Sequence, residues 1–299
     1  LFRSAAVSLL AAAGWSVAYR RPGGATGAAI RLPLPEGFWP QAGVVIGSIA
    51  VMIALSVNSS LRRHRHASAL IAGLGLVILI GLFIGFRYLT AFDQGLVALV
   101  QEHRSPTMDE IAVTFTLIGE FHYMLIFSAL LTGLLLLARQ WRQAIFAGAT
   151  MLFTALANTG TKHFFARVRP EVLSEPLTSY SMPSGHASGA FALFLALAIL
   201  AGRGQPPRLR LTWLLLGCLP ALAIALSRVY LGAHWPSDIV AGAMLAACVC
   251  AAMLWLSQRQ TPLPAMPPKI WWLILPAMVA AFSFFALRHL PNGMLRYAY

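Results

Sequence analysis

Residues 183–202 read PSGHASGAFALFLALAILAG, a short polar opening followed by an uncharged run from Ala187 to Gly202. The opening predicts a turn that leads into a helix, because Ser184 is a good N-cap and Gly185 lets the backbone approach a ligand closely. The run that follows is long enough to form most of a membrane span. This stretch therefore predicts a membrane helix whose first turn carries a polar site.

Two other polar clusters stand at the edges of apolar runs in the same way. One is Lys162, followed after six residues by Arg169 and Pro170. The other is Ser227-Arg228, followed by His234 and then by Asp238. The residue before a proline is disfavoured in the α region, so we expect Arg169 just beyond a helix end. Pro236 fits the first position of the next helix.

Composition indicates a membrane protein. Of the 299 residues, 59% are hydrophobic and 10% are charged, and the mean hydropathy is +0.73. A soluble domain has about 25% charged residues. The net charge of +13 does not indicate a nucleic-acid partner, because the basic residues punctuate the apolar runs as membrane topology requires.

The apolar runs predict an all-α, polytopic transmembrane helical bundle. Residues 62–258 form a predicted six-helix core, and its runs are 67–86, 121–138, 144–161, 187–202, 211–227 and 239–258. Residues 1–61 add N-terminal membrane helices, predicted at 4–19 and 41–61. Residues 259–299 add a proline-rich linker and a last helix at 270–287. The acidic segment from Asp93 to Glu120 is predicted as a helix along the membrane surface.

Charge sets the expected orientation. The loops at 59–66, 139–143, 203–210 and 257–269 contain ten Lys or Arg and no acidic residue. If the spans alternate, these loops share one side, which the positive-inside rule makes the cytoplasm. The three polar clusters then meet on the opposite face. We expect an integral protein of a bacterial inner membrane with its site on the periplasmic side.

The clusters suit the chemistry of a phosphate group. Lys162, Arg169 and Arg228 supply positive charge and hydrogen-bond donors for phosphate oxygens. The free N–H groups at the start of a helix add further donors. Asp238 lies where it could reach back to His234, fixing the tautomer of the imidazole and leaving its other nitrogen free to attack.

In these three clusters the chain resembles the type 2 phosphatidic acid phosphatase superfamily. That family's signature is Lys-x6-Arg-Pro, Pro-Ser-Gly-His and Ser-Arg-x5-His-x3-Asp, and all three parts occur here in order. The resemblance covers roughly residues 67–258. It implies that His234 is the nucleophile, forming a phosphohistidine, and that Asp238 orients it. It implies His186 as general acid and then base, and a phosphate site of Lys162, Arg169, Ser184, Gly185 and Arg228, with no metal or other cofactor.

The expected function is hydrolysis of a phosphate monoester or pyrophosphate on a lipid in the bilayer, either an isoprenoid pyrophosphate or a phosphoglycerolipid. A phosphotransferase that passes the phosphoryl group to a second lipid would use the same residues. A transporter or scaffold is the non-enzymatic alternative, but the charged residues gather at one face instead of crossing the bilayer. A haloperoxidase is disfavoured by the membrane setting. The lipid head group and the oligomeric state are left open.

Overall fold

The computed structural model describes residues 34–61, 66–173, 177 and 179–296. Within these ranges the chain is all-α, without a strand, as predicted. Its helices are α1 (Phe38–Leu61), α2 (Ala67–Gly85), α3 (Thr90–Glu102), α4 (Pro106–Ile118), α5 (Phe121–Leu137), α6 (Trp141–Phe165), α7 (Gly185–Gly202), α8 (Pro207–Tyr230), α9 (Pro236–Ser257) and α10 (Pro268–Arg296). The predicted helix at 4–19 lies outside the described residues.

Six of the described helices are long and apolar enough to cross a membrane: α1, α2, α7, α8, α9 and α10. Helices α4 and α5 meet at a bend of 54° and pass the same criterion together, as one broken span. The protein is thus an integral membrane protein with a polytopic helical bundle. Most predicted runs agree with these helices to within a few residues.

Helix α6 is the predicted run that is neither among these six spans nor part of the broken span. One of its faces is buried and carries Thr150, Thr154 and Asn158 among its apolar residues. The opposite face exposes large apolar side chains such as Leu152 and Leu156. The polar side chains lower the hydropathy of the helix, and they do so on the side that faces the protein. Helix α6 packs against α5, α7 and α9 and places its C-terminal end at the polar clusters.

The expectation of one surface helix over residues 93–120 is wrong. This segment forms two helices, α3 and α4, separated by residues 103–105. Asp93, in the first turn of α3, is only 1% exposed. Its carboxylate is buried because Arg167 pairs with it at 2.6 Å. Sequence periodicity could not predict this pairing, since the partner lies far along the chain.

Helix α7 lies in the middle of the bundle, in contact with α5, α6, α8 and α9. Its N-terminus comes especially close to α9. A Cβ atom at Gly242 would lie 2.7 Å from the backbone oxygen of Ser184, so only glycine allows this approach. At the other end of the bundle, Arg142 donates to the backbone oxygen of Ser257 at 2.9 Å and Arg203 donates to that of Leu263 at 2.9 Å. These contacts hold the basic loops together.

Candidate active site

The three polar clusters meet where four helix ends converge. Lys162 lies in the last turn of α6, and Arg228 lies in the last turn of α8. Ser184 is the N-cap of α7, and its hydroxyl accepts from the N–H of Ala187 at 3.4 Å, as predicted. The N–H of Ser184 donates to the backbone oxygen of Asp238 at 3.0 Å. This bond fixes the start of α7 to the first turn of α9.

Arg169 lies beyond the end of α6, as the following proline predicted. The helix stops at Phe165, and Ala166 adopts the left-handed conformation with a φ of 45°. The Arg169 guanidinium then donates to the backbone oxygens of Ser179 at 2.7 Å and of Ala233 at 2.6 Å. These bonds attach the first cluster to the loop that carries His234. The ammonium of Lys162 donates to the backbone oxygen of Tyr180 at 2.9 Å, on the same segment.

The hydrogen bonds of His234 define its tautomer. Nε2 lies 3.0 Å from a guanidinium nitrogen of Arg169. A guanidinium has only donors, so Nε2 must accept and the neutral ring must hold its proton on Nδ1. Nδ1 is 3.4 Å from a carboxylate oxygen of Asp238 and 3.4 Å from the hydroxyl of Ser181. Both distances are long for hydrogen bonds, so Asp238 orients the ring through a weak contact shared with Ser181.

His234 is 1% exposed and lies outside the spans, in the connection between α8 and α9. Burial, the largest cause, lowers the pKa of its imidazole well below the usual value of 6.5. The charges of Arg169, Arg228, Lys162 and His186 lower this pKa further. The imidazole therefore stays neutral at pH values where an exposed histidine would be protonated.

Asp238 is fully buried. Its other hydrogen-bond partners lie closer to its carboxylate than His234 does. One carboxylate oxygen accepts from Arg167 at 2.7 Å. The other accepts from the backbone N–H of Trp235 at 2.9 Å and from the hydroxyl of Ser181. The contact with Trp235 also caps the start of α9. Asp238 therefore serves both the helix start and the orientation of His234.

Arg167 and Asp93 are buried beside the site and were not predicted from the sequence. Arg167 donates to Asp93 at 2.6 Å, to Asp238 at 2.7 Å and to the hydroxyl of Ser237 at 2.7 Å. Its guanidinium lies over the rings of Phe86 and Trp235, with centroid distances of 5.1 Å and 5.6 Å. The sequence signal was present, because Arg167 is a second arginine inside the spacer between Lys162 and Arg169.

The bend between α4 and α5 forms another unpredicted wall of the site. The guanidinium of Arg228, 2% exposed, donates to the hydroxyl of Thr116 on α4 at 2.8 Å. A Cβ atom at Gly119, in the bend, would lie 3.1 Å from Cδ2 of His186 and 2.4 Å from Cγ2 of Ile224. The bend therefore fits closely against His186, and no residue pattern in the sequence indicates this contact.

The start of α7 is held in place from α6. The side-chain amide of Asn158 donates to the hydroxyl of Ser188 at 3.0 Å and to the backbone oxygen of Pro183 at 3.4 Å. Its oxygen would lie 3.4 Å from a Cβ atom at Gly185. Asn158 thus fixes the turn that precedes His186, and it would be in van der Waals contact with a Cβ atom at Gly185.

All eight predicted site residues lie at this single end of the bundle. The arrangement combines three cations, the imidazole of His186 and a helix N-terminus around a buried, neutral His234. Such a set of donors is suited to a phosphate group. Fold and site together define an integral membrane protein with a cationic site at one end of its helices.

Comparison with known proteins supports the resemblance. Residues 142–262 match the model of the PAP2 superfamily, and this segment contains all three motifs. The resemblance seen in the sequence is confirmed, and the protein is a phosphatase.

Several characterised proteins are similar to this chain. An undecaprenyl-diphosphatase of Sulfolobus acidocaldarius is 29% identical over 197 residues, covering 62% of this chain and 87% of the relative. Phosphatidylglycerophosphatase B of Bacillus subtilis is 27% identical over 150 residues, covering 46% of this chain and 70% of the relative. A crystal structure of a transmembrane PAP2-type phosphatidylglycerolphosphate phosphatase from Bacillus subtilis has the same fold, with a TM-score of 0.57, 19% identity and coverage of 64% of this chain and 97% of that one.

Proposed function

We propose that this protein hydrolyses a phosphate monoester or pyrophosphate of a membrane lipid through a phosphohistidine on His234. The observation that carries the proposal is the state of the His234 ring. It is neutral, its proton is on Nδ1, and its Nε2 lone pair points toward the cations of the site. This is the state that a histidine nucleophile requires.

Phosphate oxygens would be bound by Lys162, Arg169 and Arg228 and by the N–H groups at the first turn of α7, including those of Ser184 and Gly185. Arg169 already lies 3.0 Å from Nε2 of His234. When the phosphate arrives, its phosphorus takes the place in front of Nε2 and the guanidinium donates to a phosphate oxygen instead. The positive charge balances the negative charge of the transferring group.

In the first step Nε2 of His234 attacks phosphorus, forming a P–N bond as the P–O bond to the leaving group breaks. His186 gives its proton to the leaving oxygen. The proton on Nδ1 stays in place, and Asp238 stabilises the positive charge of the phosphorylated ring. In the second step His186 takes a proton from water, the water oxygen attacks phosphorus, and the P–N bond breaks to release phosphate and restore His234.

Two observations support a lipid substrate at the outer, non-cytoplasmic face. The site lies at the ends of membrane helices, opposite the basic loops that contain Arg142 and Arg203. The positive-inside rule places those loops in the cytoplasm and the site at the periplasmic face of an inner membrane. The two named relatives act, by name, on an undecaprenyl diphosphate and on a phosphatidylglycerophosphate.

The test is phosphate release by the purified protein in proteoliposomes from a lipid pyrophosphate and a phosphoglycerolipid monoester, with and without a second lipid as acceptor. We expect release without an acceptor and a phosphoenzyme that is labile to acid and stable to alkali. Phosphate that appears only on the acceptor lipid would make the protein a phosphotransferase. No phosphate transfer from any lipid would leave transport or scaffolding as the function.

A further inference from the structure

Helices α8 and α9 are separated by an apolar slot. They are consecutive and are joined only by residues 231–235, yet they face each other across a cavity of about 1450 Å³ instead of packing along their length. Side chains that line it include Leu214, Cys218 and Leu222 of α8 and Ala243, Ala247 and Leu254 of α9. Helix α7 forms its floor and α1 forms part of its opposite wall.

The slot begins beside the site. Tyr230 and Pro236, the residues that flank the connection carrying His234, both line its upper end. The lining then follows α9 down to Gln258, and a helix rises about 1.5 Å per residue, so the lined length is roughly 33 Å. This equals the thickness of the hydrocarbon core of a bilayer, about 30 Å. The residues that line the far end include the basic Arg203 and Arg210.

We propose that this slot binds the hydrocarbon chain of the substrate, and that the substrate is a long polyisoprenyl pyrophosphate. The proposal rests on the function proposed above, because it places the pyrophosphate beside His234. The length of the slot distinguishes the lipid classes. Acyl chains of a phosphoglycerolipid anchored at one face reach the bilayer midplane, about 15 Å below it. They would leave the half of the slot around Leu214 and Leu254 without a ligand group.

A single long chain can occupy the whole slot. The walls are almost entirely apolar over both halves of the bilayer, so a hydrocarbon chain can contact them along its full length. Helix α1, which supplies Val45, Ile49 and Met52 to the wall, lies outside the segment that matches the superfamily model. Selectivity for the chain would therefore depend partly on a helix outside the matched segment.

Three tryptophan substitutions test the proposal. Ala243→Trp adds bulk about 10 Å below the start of α9, in the upper half of the slot. Leu214→Trp adds bulk about 24 Å below the end of α8, in the lower half. Leu216→Trp is the matched control, because Leu216 lies on the same helix, is 50% exposed and is not among the lining residues. Each variant is assayed in proteoliposomes with undecaprenyl pyrophosphate, a diacylglycerol pyrophosphate and farnesyl pyrophosphate.

We expect Leu214→Trp to lower kcat/KM about tenfold for undecaprenyl pyrophosphate alone, because only its chain reaches the lower half. Ala243→Trp should lower kcat/KM for all three substrates, because even the farnesyl chain passes the upper half of the slot, and farnesyl pyrophosphate should be hydrolysed normally by Leu214→Trp and by the control. The proposal is overturned if Leu214→Trp behaves like the control. It is also overturned if Leu214→Trp slows all three substrates equally, as it would if an inner-leaflet phospholipid or the N-terminal segment filled the slot.

A second measurement uses the unmodified sequence. An undecaprenyl pyrophosphate analogue with a photoreactive group at the far end of its chain should crosslink to the lower slot, near Leu214 and Leu254. Crosslinks confined to the outer surface of α8, near Leu216, would contradict the proposal. Wild-type protein that releases no phosphate from any of the three substrates would instead contradict the proposed function itself, so the two failures are distinguishable.

Discussion

Arg167 donates to Asp93 at 2.6 Å, and the same guanidinium donates to Asp238 at 2.7 Å. One buried cation therefore holds two buried carboxylates, and one of these is the carboxylate beside His234. Ser237 completes the set, because its N–H and its hydroxyl donate to Asp93 at 2.9 Å and 2.6 Å. We infer that Arg167 and Asp93 act as positioning residues, which fix Asp238 and through it the ring of His234.

Arg167→Met should leave both carboxylates buried without their cation. Removing one partner of a buried ion pair costs about 3–5 kcal/mol of stability, so thermal unfolding of the purified variant should occur at a markedly lower temperature. Asp93→Asn is the milder test of positioning, because Arg167 can still pair with Asp238. It should lower kcat with little change in KM, since the phosphate-binding cations stay in place.

Another buried ion pair gives the control for this prediction. Arg104 and Asp109 lie 3.0 Å apart between α3 and α4, and neither belongs to the predicted site. Asp109→Asn should lower stability without a specific loss of kcat. Equal effects of Asp93→Asn and Asp109→Asn on kcat would show that Asp93 has only a structural role.

The two histidines of the site should respond differently to the leaving group. His234→Ala should abolish turnover and the phosphoenzyme, because it removes the proposed nucleophile. His186→Ala should slow turnover about 10²- to 10⁴-fold by removing the proton donor. That loss should be smaller for p-nitrophenyl phosphate, whose leaving group departs without a proton. An equal loss on good and poor leaving groups would contradict the role of His186, and a phosphoenzyme on His186 would reverse the two roles.

The pH dependence follows from the lowered pKa of His234. The unfolded-state pKa is about 6.5, and the folded protein disfavours the protonated ring. Stability is therefore unaffected by this group above pH 6.5 and falls as the pH drops from there toward the folded-state pKa. For the same reason the acid limb of kcat/KM that belongs to His234 should lie well below pH 6.5.

Removal of a neighbouring cation tests this cause. Arg169 is the nearest charge that lowers the pKa of His234, so Arg169→Gln should move the acid limb to higher pH while raising KM. The limb is measured from the pH profile of kcat/KM, and the His234 pKa can be measured independently by NMR. A limb that moves to lower pH, or stays fixed, would contradict the electrostatic account.

The sequence predicted the helices and the motif residues because both depend on local patterns. Apolar run length determines a span, and Ser184 and Pro236 mark the two helix starts that the structure contains. The partners of Asp238 were not predictable in this way. Arg167 and Asp93 lie on different elements, and only the packing of α3 against α9 brings them together. Asp93 was assigned to the membrane surface because it begins an acidic segment, and the sequence gives no sign of its distant partner.

Catalysis should not require a divalent metal, because Lys162, Arg169 and Arg228 supply the positive charge around the phosphate. We expect full activity after treatment with EDTA and no stimulation by Mg²⁺. Vanadate should inhibit competitively by occupying the position of the phosphate in front of His234. Activity that is lost with EDTA and regained with Mg²⁺ would show that the cations of the site are insufficient.

The close fit of the α4–α5 bend against His186 can be tested by a substitution that changes no charged residue. Gly119 has a φ of −79°, so its backbone tolerates alanine, but the new Cβ would lie 2.4 Å from Cγ2 of Ile224 and 3.1 Å from Cδ2 of His186. Either the bend or the His186 ring must shift. A shift of about 1 Å can cost 10²-fold in rate, and overpacking costs about 1–3 kcal/mol in stability. Gly119→Ala should therefore slow hydrolysis most for poor leaving groups.

Gly133→Ala is the control for this substitution. Gly133 lies on α5, the helix that follows the bend, and no heavy atom is within 4 Å of a Cβ placed there. Alanine at this position should leave the rate unchanged, and the helix should become slightly more stable because alanine is the better helix former. If Gly119→Ala lowers activity equally on p-nitrophenyl phosphate and on a lipid phosphate, the bend acts on the phosphate site as a whole and does not position His186 as a proton donor.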